Sequence, residues 1–113
     1  MEEGERLARE AGDTWFLAWA RQVRGLVYSA AREWEAAERS FAEAEAAWDK
    51  MGLGTRLAIN LLDHGAFYLA RRGAGDLEKG QALVERALAK FIEYDMAGYE
   101  AEARSVLDQL KPG

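Results

Sequence analysis

His64 is the chain's single histidine; it follows Asp63 and lies one turn beyond Asn60. An imidazole beside a carboxylate is raw material for acid–base or nucleophilic catalysis. That work also needs a nucleophile in reach and a carboxylate that orients the ring. Adjacent residues on a helix point about 100° apart, so Asp63 does not orient His64. The expectation is a surface or partly buried helix histidine. Cysteine is absent, which removes disulfides, thiolate metal sites and cysteine nucleophiles together. The acids Glu33, Glu35, Glu38, Glu43 and Glu45 suggest a metal cluster. A di-metal carboxylate site, however, needs Glu-x-x-His pairs from two helices, which one histidine cannot supply. These acids read as a solvated helix face with partners such as Glu35 to Arg39. Gly73-Ala74-Gly75-Asp76 suggests a phosphate cradle before a helix. It follows a helix instead of a strand, and lacks the Lys and Ser/Thr that a phosphate loop places next. It reads as a turn insert. No catalytic residue, metal ligand or cofactor is assigned, and the chain is expected not to be an enzyme.

What must be positioned is therefore a surface, and composition says what kind. The chain has 113 residues, enough for one small domain, and half of them are apolar, with four each of Trp, Tyr and Phe. Twenty acids against fifteen bases leave a formal charge of −5. That balance opposes binding to nucleic-acid phosphates. No apolar run approaches the ~20 residues of a membrane span, and the acidic opening MEEGERLARE is the opposite of a signal peptide. A soluble, cytoplasmic protein with no membrane or direct nucleic-acid partner is expected.

Apolar residues recur at helical spacing nearly everywhere, and proline occurs once, at Pro112. The pattern predicts an all-α chain of about six helices. A short one covers 2–11 and stops at Gly12, and Asp13 or Thr14 caps a long second one that ends near 31. The second buries Phe16, Trp19, Val23 and Val27. A third, over 33–51, buries Trp34, Ala37, Phe41, Ala44 and Trp48. A fourth, over 55–72, is capped by Thr55 and carries Leu57, Leu61, Leu62, Tyr68 and Leu69 inside. After the loop, Asp76 caps a fifth over 77–94, buried through Leu83, Val84, Ala87, Leu88 and Phe91. The last covers 98–110 and ends at Lys111-Pro112-Gly113.

Laid against itself at a shift of forty, the chain sets Gly12 on Gly52, Ala18 on Ala58, Gly25 on Gly65 and Tyr28 on Tyr68. With three more residues in the second copy's turn, Trp34 matches Leu77, Phe41 matches Val84 and Ala44 matches Ala87. Gly25, Tyr28, Ala37, Phe41 and Ala44 stand at the spacing of the tetratricopeptide repeat, and the chain resembles that family. The second copy keeps Gly65, Tyr68 and Ala87 but has Gly80 where the family prefers Ala. Arg21 and Arg24 replace its Trp and Leu, and Asp49 and Asp95 stand near its closing proline. The period, Met51-Gly52-Leu53 and LARRGAGDLEKGQALVERALAKF also resemble the helical-repeat sensor region of large bacterial ATP-dependent transcription regulators.

The resemblance implies a right-handed α-α superhelix in a single domain: a helix left from a preceding repeat (2–11), repeats over 14–51 and 55–95, and a capping helix over 98–110. It also implies a concave groove lined by Trp19, Gln22, Val23, Leu26 and Ser29 from the first repeat and by Ile59, Leu62, Asp63, Ala66 and Leu69 from the second. The expected function is non-catalytic binding of a peptide or partner subunit in that groove, with homo-oligomerisation as a further possibility. The alternative is a small-ligand sensor domain of a bacterial regulator.

Overall fold

Ala, Glu, Leu and Arg, all strong helix formers, fill most of the chain. The computed structural model describes the backbone of residues 2–109 and the side chains of 9, 10 and 12–109. Among the described residues it holds five helices and no strand: α1 (Glu2–Ala30), α2 (Trp34–Lys50), α3 (Gly54–Arg71), α4 (Asp76–Glu93) and α5 (Ala97–Gln109). The expected helix end at Leu110, ahead of Lys111-Pro112-Gly113, lies outside them.

The break expected at Gly12 does not form, so the first two predicted helices are one. Thr14, expected as a cap, donates its hydroxyl to the Glu10 carbonyl at 2.8 Å from inside the helix. An interior glycine costs a helix only about 1 kcal/mol, and α1 runs through it. Gly12 and Gly52 are accordingly not equivalent: Gly52 sits in a turn with φ +70°. Thr55 caps nothing either, since α3 starts at Gly54 after Leu53 without a side-chain cap.

Each helix packs on the next, and α1 also meets α3, as α3 meets α5. The molecule measures 61 × 33 × 18 Å, and 18 Å is the thickness of two helix layers. The same turn closes α1, α2 and α4. A left-handed residue (Arg32, Gly52 or Asp95) donates to the carbonyl three back, and the next residue donates to the carbonyl five back, at 2.8–3.2 Å. This geometry explains the missing proline. Proline is locked near φ −65°, whereas Asp95 sits at +57° and Asp49 lies within the last turn of α2. A non-glycine residue in the left-handed region costs roughly 1–2 kcal/mol. Asp95→Gly is expected to add about 1 kcal/mol to stability in urea titrations; an unchanged midpoint would show that the turn is unstrained.

Packing repeats with the sequence columns. A Cβ on Gly25 would lie 2.7 Å from the Phe41 ring, and one on Gly65 would lie 2.6 Å from Val84, the residue that aligns with Phe41. Gly65 and Gly80 cross with each glycine's would-be Cβ 3.0 Å from the other's carbonyl oxygen, so a side chain at position 80 would crowd the backbone of α3. Ala37, Phe41, Ala44 and Trp48 of α2 are fully buried, and so are their counterparts Val84, Ala87 and Phe91 of α4.

The α1 stripe is a correction. Phe16 and Val27 are 63% and 60% exposed, and Trp19 is also exposed; the buried positions are Ala18, Gln22 and Gly25. Close approach to α2 requires small residues, and the large apolar ones are left outside.

Candidate functional site

Residues of α1, α3 and α5 share one side of the molecule, with α3 in the middle. Of the residues expected to line a groove, Trp19 and Leu26 are exposed (43% and 45%), as is Ala66. Val23, Ser29, Ile59, Asp63 and Leu69 are half-buried. Gln22 and Leu62 are buried, at 4% and 3% exposure. These two are therefore not surface contacts but parts of the helix joint beneath.

Gln22 explains its own burial. The Trp48 indole N–H donates to its Oε1 at 3.0 Å, and its Nε2 donates to Asp63 Oδ2 at 2.9 Å. One amide thereby joins α1, α2 and α3, with its carbonyl and its amide nitrogen both engaged. Burial raises the Asp63 carboxyl above the usual carboxylate range, and Glu102 of α5 adds to this; the Gln22 hydrogen bond and Arg56 pull the other way. The Arg56 guanidinium lies over Trp15 at 5.3 Å and over Trp48 at 5.0 Å, and the two indoles meet edge to face at 5.4 Å. The junction of α1, α2 and α3 therefore has a polar and aromatic centre that ties the three helices together.

The remaining repeat residues, Tyr28 and Tyr68, lie in a second apolar cluster with Ala37, Phe41 and Phe67, Tyr28 at its edge. His64 is a further correction, for it is 6% exposed. Its ring stacks on Phe41 at 5.3 Å and on Tyr68 at 5.0 Å, and neither ring nitrogen reaches a hydrogen-bond partner. Burial lowers its pKa to about 4. A sealed, neutral imidazole has no substrate to exchange a proton with.

Asp76 is not a helix cap. Its buried carboxylate accepts two bonds from Arg71, at 2.7 and 2.8 Å, and one from the Gly73 N–H at 2.7 Å. Arg71 also donates to Glu38 at 3.0 Å, and the Tyr68 hydroxyl donates to the same carboxylate at 3.0 Å. Burial and the Glu38 hydrogen bond push the Tyr68 phenol up to about 12. The expected turn insert is thus a lock between α2, α3 and α4. Its sequence signal is Arg71 spaced five residues before Asp76, which closes a left-handed turn at Arg72.

Beside this lock, a cavity of about 400 Å³ opens between Tyr68, Leu69, Arg72, Gly73, Leu77 and Gln109. Among the described residues, no three His, Asp or Glu side chains converge as a metal ion requires. No helix among them is long and apolar enough to cross a membrane. Comparison with protein-family models, with characterised proteins and with solved structures gives no match.

Proposed function

We propose that the chain is a non-catalytic interaction module, a tetratricopeptide-like right-handed superhelix that takes an extended peptide or partner subunit on the concave face of α1, α3 and α5. The observation that carries this reading is Trp19. It stands 43% exposed beside the exposed Leu26, on the side where the odd-numbered helices meet. Large aromatic side chains held on a rigid frame are the usual anchors of interfaces. The frame beneath is rigid because Gln22, Trp48 and Asp63 bond across three helices. His64, sealed under Phe41 and Tyr68, supports a non-catalytic role, and a cytoplasmic setting belongs to the same reading.

The test is a random peptide library panned on the purified protein, with affinities of the selected peptides measured by calorimetry. Trp19→Ala is expected to weaken them by about tenfold or more, while Ile92→Ser, an exposed change on α4, leaves them unchanged. Peptides that bind equally well after both Trp19→Ala and Ile59→Asp would refute the groove. A second reading, a small-ligand sensor of a bacterial regulator, is favoured by the cavity of about 400 Å³ beside Leu69, a volume within the usual range for ligand pockets. A thermal-shift screen with sugars and nucleotides checks it, since a ligand at about a hundred times its Kd adds close to 2.7 kcal/mol to stability.

A further inference from the structure

The internal repeat exposes on α1 a face that α3 keeps covered. At the shift of forty, Leu57, Asn60, His64 and Phe67 of α3 correspond to Leu17, Ala20, Arg24 and Val27 of α1. The α3 set is buried, each residue 7% exposed or less, in the layer where α3 meets α2. On α1 no described residue lies outside that layer: Leu17 and Val27 are 56% and 60% exposed, Arg24 is exposed and Ala20 is half-buried. The face is shaped to take a helix.

Its own residues say which helix fits. Asp13, Leu17, Ala20, Arg24, Val27 and Ala31 follow one another at steps of four and three, the spacing of a seam between two helices. Asp13 and Arg24 are exposed, and neither has an ion pair or hydrogen bond among the described residues. A parallel copy of α1 would set Asp13 against Asp13 and Arg24 against Arg24. An antiparallel copy related by a two-fold axis at the level of Ala18 and Trp19 sets Asp13 against the second copy's Arg24, twice. The same register sets Leu17 against Ala20, large against small, also twice. A two-fold interface must be self-complementary in this way. We propose that two copies of this chain associate through the outer face of α1, antiparallel, with reciprocal Asp13–Arg24 pairs setting the register. This face is separate from the concave one, so the dimer stands or falls independently of peptide binding.

Charge reversal tests it on the whole chain by analytical ultracentrifugation, with circular dichroism confirming the fold of each variant. The wild type is expected to sediment as a dimer at high micromolar concentration. Asp13→Arg and Arg24→Asp are each expected to weaken the dimer by about tenfold or more, and the double reversal to restore it. Ala66→Asp, an exposed change on α3, leaves it intact. A monomeric wild type would overturn the proposal and leave the face to a helix of another protein or of a longer chain. So would a double reversal no stronger than either single change, or a dimer indifferent to all three.

Discussion

Asp76→Asn is expected to lower the melting temperature by about 10 °C. The carboxylate is 1% exposed and accepts three short bonds, two from Arg71 and one from the Gly73 N–H. An asparagine offers one oxygen to these donors and turns its own N–H₂ toward the guanidinium. Glu38 keeps part of the Arg71 charge compensated, and the Arg71 side chain is 22% exposed, so water screens a further part. The loss therefore falls short of that for a fully buried ion. The Arg71 bonds hold the Asp76 pKa down at about 2, below its ordinary 3.8. The stability this supplies is complete above the ordinary value and disappears as pH falls through about 2. Melting curves followed by circular dichroism decide the matter. A variant within about 2 °C of the wild type at neutral pH would mean the pair is screened and the turn holds without it.

The second large effect is acid sensitivity centred on His64. Its folded pKa of about 4 lies below the ordinary 6.5 because the ring is buried. The unfolded chain therefore takes up a proton that the fold refuses. Stability is full above pH 6.5 and declines by about 3 kcal/mol as pH falls to 4. Asp63 acts in the opposite sense, since its raised pKa lets the folded form take up its proton first. Asp76 contributes only further into acid. His64→Phe keeps the ring stack with Phe41 and Tyr68 and removes the titration. Urea titrations at pH 7 and pH 4.5 should show a smaller difference for the variant than for the wild type. Equal differences would place the acid sensitivity elsewhere. At pH 7 the same variant is expected to gain about 1 kcal/mol, because two unpartnered ring nitrogens leave the core.

The sequence discloses the even-numbered helices better than α1. In α2 and α4 the buried face includes the bulky apolar residues Phe41, Trp48, Val84 and Phe91, so helical periodicity finds it directly. In α1 the inward face consists of Ala18, Gln22 and Gly25, and bulk points outward. A rule that equates large with buried rotates that helix by roughly half a turn. The correct signal was present in the repeat, because Gly25 and Gly65 mark the two places where a ring or a branched chain needs room. Trp19 and Leu26 lie on the surface, Trp19 against the helical stripe that predicts it buried. Gln22 and Leu62 were misplaced because a helix wheel cannot show which of two neighbouring faces a third helix will cover. The pairing of Arg71 with Asp76 is hidden in the sequence for another reason. An aspartate at a helix start looks like a cap, and only the folded turn shows its carboxylate facing back toward α3.

Among the described residues α3 is the one helix that touches all four others, whereas α1 has no contact with α4 or α5. The two ends of the molecule can therefore communicate only in series. A displacement of α1 reaches α5 only by way of α3, to which α1 is tied directly by the Gln22–Asp63 bond and indirectly by packing through α2. α3 as a whole thus stands between two ends that share no contact of their own.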